Sequence, residues 1–333
     1  MRRAIPTFVT NIGAAAALGF GAFLGVFQGA LAADRYPTHP ITMIVPFPAG
    51  GGVDTIARIV ADKLAAALGQ PIIIDNRGGA AGVIGTRLGA KAAPDGYTLI
   101  ISDSGTTSIN PTLYAHPGYD MRKDFAPVGL IAATPIVLMA HPALPVTSVS
   151  DLIGLAKSEP GKLNFGTPPP GTLSYLSAEQ LKVAAGIDMT IVPYKGTAAL
   201  TSDMLGGHVR VGFNVLAPAL GSVASGSLRL IATAGAKRLR LFPDLPTVSE
   251  QGLPGFAAEL HYGLLVPAGT PKEIIARINK ELLLVVNSPD VRDRIAADGS
   301  DPHASSPEDY AADIDRESAK WSALIHSLNL QVE

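Results

Sequence analysis

The chain has 333 residues, of which 47% are hydrophobic and 16% charged, a composition that argues against disorder and suits one large or two ordinary domains. The formal net charge of −2 and the absence of basic runs with interleaved aromatic residues argue against nucleic acid as a partner. The sequence contains no cysteine, which excludes disulfides, thiol catalysis and lipid attachment through cysteine within it.

The first 32 residues have the pattern of a secretory signal peptide. Arg2 and Arg3 precede an apolar stretch over 12–27, which is shorter than the roughly 20 residues of a membrane-spanning helix. Small residues at 30–32 then form a cleavage site. We expect cleavage near Ala32 and a mature protein in the periplasm; a retained anchor is the alternative.

From residue 41 onwards, short apolar runs alternate with amphipathic segments, which indicates βαβ units and mainly parallel sheets flanked by helices. In the first series, "VPFPAGGGVDTIAR" (45–58) joins a strand to a helix through prolines and three glycines. Glycines at a helix start let an anion approach the backbone amides. The stretch lacks the lysine and the spacing of a phosphate-binding loop, so it favours a carboxylate.

A second βα series follows, with helices predicted over 174–185 and 198–205. Two long extended segments, near 130–140 and 258–268, join the two series. We therefore predict an α/β protein of the two-lobed, hinged periplasmic binding type (type II-like). Its predicted organisation is a signal peptide (1–32), lobe 1 (33–133), lobe 2 (134–257) and a return to lobe 1 (258–333). Capped helices are predicted to begin at Thr270 and Ser306.

No catalytic motif is present: the sequence has no nucleophile elbow, no zinc-protease motif and no phosphate-binding loop with lysine. The seven histidines are scattered without metal-ligand spacing. Hydrogen-bond donors recur instead where strands end, in "SDSGTTSIN" (102–110), "GTPPPGTLS" (166–174), "PYKG" (193–196) and "FNV" (213–215). We predict a binding protein without cofactor or metal, rather than an enzyme.

Each of these features also has a purely structural interpretation. Glycine-rich loops are often only tight turns, and hydroxyl clusters are often helix caps. Asp54 is most simply an acid that stabilises the first turn of its own helix, and Lys195 is most simply solvated or bridging the cleft rim. Tyr194 and Tyr262 fit the core as well as a cleft. The shared donor chemistry of several strand ends favours a small carboxylate held by hydrogen bonds.

Long segments of the chain resemble the extracytoplasmic receptors of tripartite tricarboxylate transporters, the Bug proteins. They are "YPTHPITMIVPFPAGGGVDTIARIVADKL", "IIIDNRGGAAGVIGTRLGAKAAPDGYTL", "INPTLY", "VPYKG", "AKRLRLFPDLPTVSEQGLPGF" and "YGLLVPAGTP", in this order. The resemblance implies a monomeric periplasmic receptor that closes on a small organic carboxylate and delivers it to a membrane permease. A sensor subunit for a histidine kinase, or a periplasmic hydrolase on the same scaffold, are the alternatives.

The resemblance also assigns ligand-binding positions. They are Phe47, Ala49, Gly50, Gly51, Asp54, Ser104, Thr106, Thr107, Thr167, Thr172, Ser174, Tyr175, Tyr194 and Asn214. Tyr175 stands where the family commonly has histidine, and Asn214 where it commonly has aspartate. Because an asparagine removes a negative charge from the cleft, we expect a neutral-tailed or aromatic carboxylate rather than a simple amino acid.

Overall fold

The computed structural model describes residues 36–333, and 39–333 form one compact unit. The predicted signal peptide lies outside the described residues. The strands of this unit are β1 (Ile41–Val45), β2 (Ile72–Asn76), β3 (Thr98–Asp103), β4 (Phe125–Ala140), β5 (Asn164–Thr167), β6 (Thr190–Pro193), β7 (Val211–Val215), β8 (Arg229–Thr233), β9 (Glu259–Pro267) and β10 (Asp301–Pro302).

The α-helices are α1 (Gly52–Leu68), α2 (Val83–Ala90), α3 (Asn110–Leu113), α4 (Met121–Asp124), α5 (Val149–Ser158), α6 (Leu173–Ala185), α7 (Thr197–Leu205), α8 (Leu220–Ala224), α9 (Lys272–Asn287), α10 (Pro289–Ala297) and α11 (Pro307–Ser327). A single turn of π-helix covers Gly105–Ile109. None of the described helices is both long and apolar enough to cross a membrane.

The strands form one mixed sheet in the order β2-β1-β3-β9-β4-β7-β5-β6, with β8 and β10 also paired to β4. The outer parts are parallel, since β1 pairs with β2 and β3, and β5 pairs with β6 and β7. The centre is antiparallel, because β9 runs against both β3 and β4. The sheet is therefore less uniformly parallel than the βαβ pattern alone indicates.

Strand β4 joins the two halves of this sheet. Its first part pairs with β9 up to Pro135, and from Ile136 onwards it pairs with β7 and β8. The two long segments predicted near 130–140 and 258–268 correspond to β4 and β9. They run antiparallel, which explains the mixed centre of the sheet. The lobe boundaries at 133 and 257 remain a prediction.

Each half of the sheet has its own hydrophobic core. Ile44, Ile100, Leu265 and Tyr310 belong to a cluster on one half. The other half buries a separate cluster, whose members include Val137, Met139, Leu200, Met204 and Leu216. The two halves of the sheet are therefore packed separately. A cavity can form between these two cores, where the strands end.

The two predicted caps near the C-terminus have different outcomes. The Ser306 hydroxyl accepts a hydrogen bond from the Asp309 amide (3.0 Å) at the start of α11, as predicted. The Thr270 hydroxyl instead donates to the carbonyl of Pro267 (2.7 Å), and α9 has no side-chain cap. Thr270 therefore closes the turn after β9 rather than capping the helix.

Candidate ligand-binding site

A cavity of about 830 Å3 lies where six strands have their carboxyl ends. The lining residues fall within 47–53 after β1, 78–82 after β2, 168–174 after β5 and 195–199 after β6, together with Asp103, Tyr114, Ile136, Val215, Leu260, Tyr262 and Val332. Ligands of open α/β sheets bind at this edge, because the loops after parallel strands converge there. The arrangement makes this cavity the candidate site.

Four of the described helices begin at the cavity wall. Gly51, Gly82 and Gly196 stand at the N-caps of α1, α2 and α7, and none of these helices has a side-chain cap hydrogen bond. Thr172 caps α6 through its hydroxyl. The first amides of a helix have no partner within it, so the starts of α1, α6 and α7 border the cavity with N–H donors at the positive ends of helix dipoles. Such donors suit a carboxylate. At α2 the amides of Val83 and Ile84 donate to the carbonyls of Ala80 and Gly79.

Two glycines at the start of α1 allow close approaches across the cavity. A Cβ on Gly52 would lie 2.8 Å from the Tyr262 hydroxyl oxygen and 3.6 Å from Val215 Cγ2. A Cβ on Gly51 would lie 3.9 Å from the hydroxyl oxygen of Thr197. Gly52 is therefore required for the packing of Tyr262 against the helix end.

The second glycine-rich segment packs against the first. Added Cβ atoms would lie 2.9 Å from Pro48 Cδ at Gly78, 3.0 Å from Phe47 Cζ at Gly82, and 2.6 Å from Pro46 Cα at Gly85. Side chains at these positions would displace the bend at 46–48. These glycines thus bring two loops of the cavity wall into contact.

Asp54 lies behind the bend rather than in the cavity lining. It is buried, and its carboxylate accepts hydrogen bonds from the Gly50 amide (2.9 Å), Arg58 Nε (2.9 Å) and Asn76 Nδ2 (2.9 Å). Burial raises its pKa, but the hydrogen bonds from Arg58, Gly50 and Asn76 outweigh burial and lower the pKa overall. The structural interpretation of Asp54 fits these contacts, and its charge stabilises the bend.

The hydroxyl groups of the β3 loop, which we define as Ser104–Ile109, bond within the protein. Thr106 donates to Asp103, and Thr107 donates to the Asp103 carbonyl (3.0 Å). The Ser104 hydroxyl accepts from the His261 amide (2.9 Å). None of these three residues lines the cavity. The hydroxyl-rich loop is therefore a folded support for the wall.

The opposite side is the helix-end wall, which we define as residues 172–174 and 196–199. Ser174 and Thr197 line the cavity, and neither hydroxyl takes part in a hydrogen bond between described residues. The Thr172 hydroxyl donates to the Pro169 carbonyl (2.7 Å) and accepts from the Tyr175 amide (3.4 Å). This wall presents two free hydroxyls beside open helix ends.

Asp103 contributes a carboxylate to the lining. It ends β3, is 4% exposed, and pairs in register with Tyr262. Its Oδ1 accepts from the Thr106 amide (2.9 Å) and hydroxyl (3.1 Å). Burial raises the pKa of Asp103 to about 6, against the hydrogen bonds from Thr106. Asp103 forms no ion pair with any described residue.

The two sides of the cavity also meet through the proline segment. The Tyr114 hydroxyl donates to the Pro170 carbonyl (3.5 Å), and both residues line the cavity. A Cβ on Gly105 would lie 2.9 Å from the Gly171 carbonyl oxygen. The segment 168–171 therefore contacts Tyr114 and packs against Gly105 of the β3 loop.

Comparison with known proteins identifies the family. A sequence model described as "Tripartite tricarboxylate transporter family receptor" matches residues 56–330. The chain belongs to this family. It is 34% identical to Protein BugT of Bordetella pertussis over 304 residues, which is 91% of this chain and 93% of BugT. The receptor resemblance stated from the sequence is confirmed.

Solved structures of similar proteins have the same fold as this receptor. R. palustris Rpa4515, solved with adipate, gives a TM-score of 0.85 at 35% identity and covers 89% of this chain and 99% of its own. MatC from Rhodopseudomonas palustris, solved with bound malate, gives 0.82 at 32% identity and covers 87% and 100%. The predicted class, a two-lobed α/β binding protein, is confirmed, and the chain is a solute-binding receptor.

The structure places the predicted site residues of the receptor in two groups. Phe47, Ala49, Gly51, Thr172 and Ser174 line the cavity. The second group does not line it and consists of Gly50, Asp54, Ser104, Thr106, Thr107, Thr167, Tyr175, Tyr194 and Asn214. Direct ligand contact remains a prediction for both groups; in this structure only the first group lines the cavity.

Several residues of the second group have partners outside the cavity. Asn214 is buried and donates to the Thr197 carbonyl (3.1 Å) and the Thr201 hydroxyl (3.1 Å), so it holds α7 in place. Burial raises the pKa of Tyr175 to about 12, with Glu179 nearby, and the pKa of Tyr194 to about 12. The expectation drawn from Asn214 assumed a residue facing the ligand, whereas the acidic group in the lining is Asp103.

Sequence reasoning missed Asp103 and the start of α7 as lining residues, and it left Tyr262 open between core and cleft. Asp103 stands at the end of β3, and the glycine before α7 follows a strand as the glycines before α1 do. These two were detectable by the strand-end argument. The local sequence could not decide between core and cleft for Tyr262, because its place beside Asp103 depends on the antiparallel pairing of β9 with β3. Lys195, expected to be solvated or to bridge the cleft rim, lies in the lining and is exposed.

Proposed function

We propose that the receptor captures a small organic carboxylate in the cavity by closure of its two lobes and delivers it to a tripartite tricarboxylate-type permease from the periplasm. The observation that carries this proposal is the convergence of the α1, α2, α6 and α7 N-termini on one cavity. Open amides at the starts of α1, α6 and α7 and the free hydroxyls of Ser174 and Thr197 would hold the carboxylate without a paired cation.

The remaining lining favours an organic rather than an inorganic anion. Phe47, Ile136, Leu173, Val215 and Leu260 supply apolar surface around the donors. A few polar groups in an otherwise apolar cavity fix the orientation of an organic ligand. That similar proteins were solved with adipate and with malate supports the same ligand class.

Closure would occur about the strands that join the two halves of the sheet. Strand β4 continues from one half into the other, and β9 pairs with it up to Glu259. Hinged closure around a ligand needs only a few residues that absorb the change in backbone angles. A permease can then distinguish loaded from empty receptor by the closed form.

The test is a thermal-shift and calorimetric screen of the purified protein with adipate, malate and related acids, each paired with its neutral amide. Carboxylates that bind should raise the unfolding free energy by about 2.7 kcal/mol at 100 times Kd, whereas the amides should not. X-ray scattering should show a smaller radius of gyration with the stabilising acid. Equal effects of acids and amides, or stabilisation by no acid, would contradict the proposal.

Delivery needs a separate measurement. Uptake of the stabilising acid into vesicles that contain the permease should require the receptor. A receptor that binds the acid but leaves uptake unchanged would contradict the transport role while leaving the binding role intact.

A further inference from the structure

Among the described residues that line the cavity, Asp103 is the one acidic side chain and Lys195 the one basic side chain. Lys195 is exposed, whereas Asp103 is 4% exposed. The two charged groups therefore occupy different environments, with Lys195 in contact with water and Asp103 in the buried wall. A buried carboxylate without a cation is costly unless hydrogen-bond donors surround it.

The amides of Gly105 and of Asp103 itself lower the pKa of the Asp103 carboxyl group, and the two shortest protein donors to it come from Thr106. Both the amide and the hydroxyl of Thr106 donate to Oδ1. A carboxylate can accept about four hydrogen bonds, so Asp103 retains acceptor capacity. The hydrogen bonds from Thr106 alone do not explain the residue type, because the side-chain oxygen of an asparagine accepts them without a buried charge.

The neighbouring groups of Asp103 also lack positive charge. Tyr262 is its cross-strand partner, and Tyr119 and Tyr310 lie close enough for its charge to raise their pKa values. Burial is the main cause of the raised pKa of each tyrosine, so all three stay neutral near pH 7. A second anion placed against Asp103 would be repelled with no cation to offset it.

Resting on the proposed carboxylate-binding function, we propose that Asp103 selects the ligand by accepting a hydrogen bond from a hydroxyl or ammonium group that the ligand carries apart from its carboxylate. The ligand class is thus hydroxy- or amino-carboxylates. The open helix ends hold the acid group, and Asp103 holds the donor. Acids with a methyl group or a second carboxylate at that position leave Asp103 unpaired or repelled.

The experiment compares acids that differ only in the group at the far end of the chain. In the six-carbon series these are 6-hydroxyhexanoate, 6-aminohexanoate, hexanoate and adipate; in the four-carbon series they are 4-hydroxybutyrate, 4-aminobutyrate, butyrate and succinate. In calorimetry at pH 7.5, the hydroxyl or ammonium member should bind about tenfold or more tightly than the methyl and carboxylate members of its series.

The variant Asp103→Asn should remove most of this preference. Asparagine keeps an oxygen for the Thr106 amide, so folding is retained, but the charge is lost. Asp120→Asn is the matched control: Asp120 caps α4 by accepting from the Arg122 and Lys123 amides and does not line the cavity. It should leave the preference unchanged.

The wild-type protein gives an independent measurement. Between pH 7.5 and pH 5 Asp103 becomes protonated, because its pKa is about 6, while Tyr119, Tyr262 and Tyr310 stay neutral. The preference for the hydroxyl member over the methyl member, whose carboxyl groups titrate alike, should therefore shrink at pH 5. This arm remains informative if Asp103→Asn does not fold.

The outcomes separate this inference from the proposed function. If acids bind but adipate or succinate binds as tightly as its hydroxyl and ammonium analogues, the selection by Asp103 is wrong. The same holds if Asp103→Asn keeps the full preference. If no acid binds to the wild-type protein, carboxylate binding itself fails, and the inference fails with it.

Discussion

The β3 loop and the helix-end wall are both rich in hydroxyl groups, but only the helix-end wall lines the cavity, and the two use their hydroxyls differently. In the β3 loop, the hydroxyls of Ser104, Thr106 and Thr107 all have protein partners. In the helix-end wall, the hydroxyls of Ser174 and Thr197 line the cavity and have none among the described residues. A hydroxyl-rich sequence therefore does not by itself indicate ligand contact, because nearby backbone groups compete for the same hydrogen bonds.

The largest expected effect is a difference in stability between two glycine substitutions. Gly85 packs behind the bend at 46–48, and Gly196 lies in the helix-end wall. Gly85→Ala should lower the free energy of unfolding by about 3 kcal/mol, because the new Cβ meets Pro46 Cα at 2.6 Å and the Arg77 carbonyl oxygen at 2.7 Å. Gly196→Ala meets nothing within 4 Å and should change it by less than about 0.5 kcal/mol. Urea unfolding curves would measure both; equal losses would contradict the contrast.

The next largest effect on stability compares a threonine of the β3 loop with a threonine of the helix-end wall. Thr106→Val should destabilise the protein by about 2 kcal/mol, since it leaves the buried Asp103 without its hydroxyl donor. Thr197→Val removes a hydroxyl that has no protein partner and should be nearly neutral for folding. The prediction fails if chemical denaturation finds the two variants equally stable.

For ligand affinity the order should be reversed: substitutions in the helix-end wall should have a larger effect than substitutions in the β3 loop. Ser174→Ala and Thr197→Val should each weaken binding of a stabilising carboxylate by about 1 kcal/mol, or roughly fivefold in Kd, through the loss of one hydrogen bond. Thr107→Val is the control, because its hydroxyl donates to the Asp103 carbonyl and does not line the cavity. If calorimetry finds that Thr107→Val weakens carboxylate binding as much as Ser174→Ala does, the proposed difference between the β3 loop and the helix-end wall is wrong.

The smallest expected effect is a pH dependence of stability that arises at His261, next to the β3 loop. His261, whose amide donates to Ser104, places its ring Nδ1 2.7 Å from Asp313 Oδ2. Burial opposes the charged ring, but the hydrogen bond and charge of Asp313, with Glu317 and Glu259 nearby, raise its pKa overall. Arg316 also pairs with Asp313.

A raised folded-state pKa means that the stabilisation is fully present below the unfolded-state value of about 6.5 and is lost as pH rises through the folded-state value. The free energy of unfolding of the wild type should therefore fall relative to His261→Gln between pH 6 and pH 8.5. Denaturation curves at several pH values would test this. A constant difference between the two proteins across that range would show that His261 does not titrate in this way.

Much of the fold followed from local pattern. The alternation of apolar runs and amphipathic segments predicted the βα series, and "VPFPAGGGVDTIAR" predicted a glycine bend at a helix start on the ligand side. The bend lines the cavity through Phe47, Ala49 and Gly51, and α1 begins at Gly52. These features depend on residues close together in the chain, which is why the sequence reveals them.

The antiparallel centre of the sheet and the use of each hydroxyl depended on distant partners. The Ser104 hydroxyl bonds to an amide 157 residues away, and Ser102 pairs with the Tyr310 hydroxyl across 208 residues. No local pattern in "SDSGTTSIN" distinguishes a hydroxyl that supports the wall from one that faces a ligand.

The sequence by itself thus determined the family, the order of the βα units and the helix end that borders the site, because periodicity, glycine placement and motif order are properties of the chain. Only the tertiary structure decided that Asp103 and Tyr262 enter the lining while Asp54 and Asn214 support it from behind. The physical reason is that a polar group becomes available to a ligand only when folding leaves it without a protein partner, and those partners come from remote strands and helices.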